Sequence, residues 1–166
     1  MAAGFSWDQR NGPTGVRTDL GSSGWLFSFK NADDATNADY ATFPITAGSN
    51  SFEVWLTAHM TATFNRVDGF RVWQSVDFSP NTGLAIFYNG QQVTYLQPAA
   101  GTSSIATSSL PKADPGSTNV SIGGNLSGSL VAPGYSDHIV LQLRTGANAA
   151  PGDTSLTTVS LSYNEN

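Results

Sequence analysis

Apolar and polar residues alternate along most of this chain, and the spacing of three to four that marks an amphipathic helix does not recur. Between Ser51 and Asn65 one register carries Phe52, Val54, Leu56, Ala58, Met60, Ala62 and Phe64. The other carries Glu53, Trp55, Thr57, His59, Thr61 and Thr63. This pattern predicts one long strand, or two joined at a bend. Asp68-Gly69 then reads as a turn, after which Phe70, Val72, Gln74, Val76 and Phe78 alternate with Arg71, Trp73, Ser75 and Asp77 as the antiparallel partner. The run from Leu84 to Leu96 contains Asn89-Gly90, the pair that supplies two positive φ angles to a type I′ turn, and so predicts a hairpin. Further strands are predicted over Trp25–Asn31, Tyr40–Ile45, Asn119–Ile122, Leu126–Val131, His138–Thr145 and Ser155–Tyr163.

About ten strands without a helix imply an all-β fold, an antiparallel two-sheet sandwich that is jelly-roll-like. Residues 1–23 are polar and glycine-rich and read as an N-terminal arm or edge segment, leaving 24–166 as a single β-sandwich domain. Residues 98–118, rich in Pro, Ala, Gly and Ser, read as a long surface loop rather than a linker, because too few strands follow to make a second sandwich.

Composition agrees with this pattern. The 166 residues include 20 Ser, 17 Thr, 17 Gly and 12 Asn, the residues of turn-rich β proteins, while charged residues make up only 11%. Aromatic residues, also 11%, supply the bulk for a packed core. A net charge of −5 with no basic cluster argues against nucleic acid as a partner. No stretch is long and apolar enough for a membrane helix. The first ten residues show neither the basic region nor the apolar region of a secretory signal, which predicts synthesis in a cytoplasm. Cysteine is absent, which removes disulfides, thiolate nucleophiles and Cys-ligated zinc together. The sequons Asn119-Val120-Ser121 and Asn125-Leu126-Ser127 matter only in a glycosylating pathway.

The chemistry that remains is sparse. His59 and His138 are the two histidines, and no nucleophile elbow, zinc-helix motif or phosphate-binding glycine loop accompanies them. The chain is therefore predicted to be no enzyme and to need no cofactor. Glu53 and Asp77, placed on adjacent strands, offer a carboxylate pair of the kind a glycosidase uses, against the plainer reading of a solvated pair. Asp33, Asp34 and Asp39 concentrate oxygens as a calcium loop does. Their order does not match an EF-hand, and an ordinary polar turn is the favoured reading. Trp55, His59, Arg71 and Trp73 take the register opposite the apolar one on two strands read as neighbours. That places them outward, where they stack on a sugar, meet another subunit, or lie beneath a covering loop. Phe5 and Trp7 stand out in the polar N-terminal stretch. They dock either on the chain's own sandwich or, as an arm, on a neighbouring subunit.

The segments Gly48-Ser49-Asn50-Ser51-Phe52-Glu53-Val54-Trp55-Leu56, Gly69-Phe70-Arg71-Val72-Trp73, Ser136 through Arg144 and Leu161-Ser162-Tyr163-Asn164-Glu165 resemble parts of small β-sandwich structural proteins from tailed-phage virions. The resemblance brings no functional residue with it. It implies a virion protein of the head decoration or minor capsid type, a non-enzymatic structural protein made in the host cytoplasm. Its partners are then the major capsid protein and its own copies, often as trimers at symmetry axes. The alternative reading is a carbohydrate-binding module or host-adhesion domain that uses the outward aromatics.

Overall fold

The computed structural model describes residues 3–22, 27–34, 42–78, 83–149 and 156–166. Among the described residues are ten strands, β1 (Gly4–Asn11), β2 (Val16–Gly21), β3 (Val54–Thr61), β4 (Val67–Val76), β5 (Leu84–Gln92), β6 (Ser108–Ser109), β7 (Ser129–Leu130), β8 (Gly134–Tyr135), β9 (His138–Thr145) and β10 (Thr158–Glu165). They form two antiparallel sheets. The larger, of seven strands, runs β2-β1-β3-β9-β5-β6 with β8 added to β3, and the smaller runs β10-β4-β7. The only helical element among the described residues is a single 3-10 turn at Gly101–Ser103.

The two sheets face each other across one core. The large sheet contributes Trp7, Leu56, Met60, Ile86, Ile139 and Leu141, and the small sheet contributes Val67, Phe70 and Val72. Val159, Leu161 and Tyr163 of β10 pack on the rim of that core. Burying such side chains contributes roughly 1.5–3 kcal/mol each, which makes this shared interior the main source of stability in a chain with no disulfide.

Two sequence expectations fail here for physical reasons. The first concerns β3 and β4, which are not hairpin partners: β3 pairs β1, β8 and β9, while β4 pairs β10 and β7. The connection through Ala62 and Phe64 crosses from one sheet to the other, with Ala62 at φ 63° and Phe64 buried in the core. Period-2 alternation looks the same whether two strands lie side by side or face each other across a core. Asp68-Gly69 falls inside β4, where Gly69 takes φ 64° beside a register shift in β10. The second failure is the Asn89-Gly90 hairpin. β5 runs straight through these residues against β9, with a bulge between Asn89 and Gln92, and Gly90 has no positive φ.

Other boundaries moved as well. Of the two readings of the N-terminal segment the edge segment holds, with β1 and β2 at the edge of the large sheet, joined through Gly12 (φ 72°) and Gly15 (φ 66°) and closed by the Gly15 N–H donating to the Gly12 carbonyl at 3.2 Å. Residues 119–121 form no strand: Asn119 lies along β4 and binds both the N–H and the C=O of Val72 with its side-chain amide. Of Leu126–Val131 only Ser129–Leu130 is extended into a ladder. Residues 27–31 and 42–45 are irregular, and the remainder of those two predicted strands lies outside the described residues.

Candidate functional site

The six residues singled out from the sequence do not share one groove. Since β3 and β4 belong to different sheets, Trp55 and His59 sit on the outer side of the large sheet and Arg71 and Trp73 on the outer side of the small one. Phe5 and Trp7 belong to neither outer face. Trp7 is 4% exposed within the common core, and Phe5 packs edge-on against it at 5.2 Å.

The outer side of the large sheet holds the densest chemistry. Cross-strand register sets Ser6 beside His59 and His59 beside Tyr135, Asp19 beside Asp8 and Asp8 beside Thr57, and Arg17 beside Arg10 and Arg10 beside Trp55. The β3–β9 register, which pairs Leu56 with Ile139, sets Thr57 beside His138 one residue further on. Over these rows the Tyr135 ring lies between two planar groups, the His59 imidazole at 4.2 Å and the Arg17 guanidinium at 3.7 Å. Arg17 also binds Asp8 at 3.0 Å. An arginine held by a carboxylate and a ring face at once is fixed in position, which suits recognition of a flat or acidic group.

Trp55 is fully buried despite facing outward, because the crossover from β5 to β6 lies on it. Glu53 ties that crossover down. Its carboxylate accepts the Trp55 indole N–H at 2.9 Å and the backbone N–H groups of Ala99 at 3.0 Å and Ile105 at 2.7 Å. Arg144 adds a bond to the Ala106 carbonyl at 2.7 Å and lies over the Phe87 ring. Tyr95 reaches from the crossover to the Gly12 carbonyl at 2.6 Å, and burial pushes its phenol up to about 12.

His138 lies beneath this cover, with its ring edge-on to Trp55 at 5.3 Å. Its Nδ1 faces the Gln92 carbonyl at 2.9 Å, so Nδ1 carries the hydrogen and Nε2 is left as an acceptor. Burial lowers the His138 pKa; the bond to the Gln92 carbonyl opposes this, Arg10 and Arg17 add to the lowering, and Asp137 opposes it least. The imidazole is therefore neutral near pH 7. His138 Nε2, Thr57 Oγ1 and Asp8 Oδ1 are all buried with no hydrogen-bond partner among the described residues. All three residues of this polar row are buried, Asp8 and Thr57 each at 2% exposure and His138 at 6%.

The remaining sequence candidates resolve as internal contacts. Glu53 precedes β3 and Asp77 follows β4, so they flank no common groove; Asp77 instead meets Lys112, the Gln74 amide and the Phe78 N–H. Asp33 gives both carboxylate oxygens to the Gly12 N–H, at 2.9 and 3.1 Å, and Asp34 pairs with Lys30 at 3.3 Å. Asp39 lies outside the described residues, and among the described residues no three His, Cys, Asp or Glu side chains gather to hold a metal.

Arg10, Arg17, Tyr95 and Tyr135 were not visible as site residues in the sequence. The signal that could have found the first was the alternation of Ser6, Asp8 and Arg10 against Phe5 and Trp7, which marks β1 as a strand with one polar face. Compared with known protein families, curated proteins and solved structures, the chain finds no match.

Proposed function

We propose that this chain is a structural protein of a virus particle, of the head decoration or minor capsid type, that binds a capsid shell and further copies of itself and catalyses no reaction. The observation that carries the reading is where the resemblance to virion proteins falls. Its four segments contribute residues 54–56 of β3, 69–73 of β4, 138–144 of β9 and 161–165 of β10, together with residues 48–53 and 136–137 that lead into β3 and β9. The likeness therefore touches strands of both sheets. The tethering of polar side chains to one another across the outer faces supports the same reading, since a shell protein needs a rigid body with firm surfaces. Localisation follows as the virion, after synthesis in the host cytoplasm.

Co-expression with the major capsid protein encoded in the same genome, followed by gradient sedimentation, tests this. The chain should travel with the shells. Recovery at the top of the gradient, with intact shells below it, overturns the reading.

One observation favours a second reading, a carbohydrate-binding or host-adhesion domain. Trp73 is half-buried on the outer side of the small sheet, between Arg71 and Ser75 on β4 and beside Ser160 on β10, so its neighbours on that face carry hydroxyl and guanidinium groups. Sugar rings stack on such surfaces. Glycan binding that vanishes in Trp73→Ala would establish it, whereas the buried Trp55 takes no part.

A further inference from the structure

A strand at the edge of a sheet presents a row of unpaired N–H and C=O groups to any other strand, and proteins guard such edges with charge, proline or short length. The two sheets have four edges, and three of them are guarded. β6 and β7 are two residues long. β2 carries Arg17 and Asp19 along its six residues. β10 differs: its eight residues contain no proline and no charge before Glu165. Its backbone pairs with β4 on one side, and no backbone hydrogen bond leaves it on the other among the described residues.

The geometry points to β10 as the seam between two copies of this chain, paired antiparallel about a two-fold axis so that two three-stranded sheets join into one continuous sheet. The inference rests on the self-association in the function proposed above and assigns its surface. The occupant follows from the strand's own sequence. With Leu161 opposite the Leu161 of a second copy, Val159 meets Tyr163 on the core side, and Ser160 meets Ser162 on the outer side. Thr158 meets Asn164, and Glu165 falls opposite Thr157. Apolar side chains thus face apolar ones, hydroxyls face hydroxyls, and no charge faces its like, as an isologous contact requires. Leu156, 74% exposed, and Val76, 52% exposed, flank the start of the strand and add apolar surface at that end of the seam.

Thr158 and Asn164 are both exposed, so lysines there leave the core untouched while setting Lys against Lys at each end of the seam. In sedimentation velocity the unsubstituted chain should run as a dimer and T158K/N164K as a monomer with an unchanged β-sheet circular dichroism spectrum. Mixing T158K/N164K with T158E/N164E should restore dimers that contain one copy of each. A monomeric unsubstituted chain, or a dimer indifferent to these substitutions, overturns the seam. Should the lysine variant misfold, hydrogen exchange on the unsubstituted chain decides: protection of β10 that grows with protein concentration supports the seam, and protection independent of concentration refutes it. A monomer that still travels with capsid shells would overturn the seam and leave the shell-binding part of the proposed function standing. A β10 dimer that ignores shells would do the reverse.

Discussion

A Cβ on Gly90 would stand 2.2 Å from the Asn119 carbonyl oxygen, and the Gly90 carbonyl accepts the Ser121 N–H at 2.9 Å. The glycine is there to let residues 119–121 run against β5, a close backbone approach rather than a turn. Gly90→Ala should therefore cost about 1–3 kcal/mol, as overpacking does. Gly90→Asn, which would suit a positive φ, should bring no relief. Urea denaturation of the two variants checks this, and an Asn variant markedly more stable than the Ala variant would return Gly90 to a turn. At His138 the sign of the pH effect follows from burial. The folded-state pKa is depressed below the unfolded value near 6.5, so the unfolded chain takes up the proton first as pH falls. The stability His138 contributes is complete above pH 6.5 and declines as pH drops through that value toward the folded pKa. The urea midpoint should fall between pH 7.5 and 5.5, and His138→Gln should remove part of that fall.

Among elements, the crossover from β5 to β6 shows what the sequence revealed and what it hid. The composition of residues 98–118 marks its later part as irregular, and that part holds only a 3-10 turn, whereas the stretch 93–96 reads as a hairpin arm and is no strand. Nothing in that composition showed that Ala106 is fully buried against Trp55 and Val140, because the loop's packing depends on a sheet surface built by residues far away in the chain. β9 was legible to the residue, since one register of His138–Thr145 carries Ile139, Leu141 and Leu143 and the segment runs from His138 to Thr145 between polar residues. β1 was not, because Asp8, Gln9 and Arg10 made a strand look like a tail, although Asp8 and Gln9 are buried. The outer-face grouping of Trp55 with Trp73 failed for the reason that β3 failed to pair with β4. Alternation reports which side chains share a face of one strand, and it is silent about which sheet that strand joins. Glu53→Gln tests the crossover directly. An amide has one acceptor oxygen where the carboxylate offers two to three donors, so a loss of about 1–3 kcal/mol is expected. Faster hydrogen exchange should be confined first to residues 93–107. Uniform acceleration across both sheets would show that Glu53 supports the whole core rather than its cover.

For the whole molecule, the consequential feature is the meeting of the first and last described strands. The Ala3 N–H donates to both Glu165 carboxylate oxygens at 3.0 Å, and Phe5 lies 6.4 Å from Tyr163, ring centre to ring centre. A sandwich whose sheets are stitched by strands distant in sequence pays for loop closure before those contacts form, which slows folding. β1 and β10, in different sheets, stand at the extreme of this, touching through the Ala3–Glu165 bond and the Phe5–Tyr163 ring pair. The order of the elements along the polypeptide is thus separable from the shape they make. A circular permutant that joins residue 166 to residue 3 through a short glycine linker, opened between the exposed Gly116 and Ser117, keeps every strand pairing described here. It should reach the same native spectrum. It should also refold faster than the parent, because the meeting of β10 with β1 becomes a local event. Stopped-flow refolding measures the difference, and an equal or slower rate would place the rate-limiting step at the sheet-crossing connections instead.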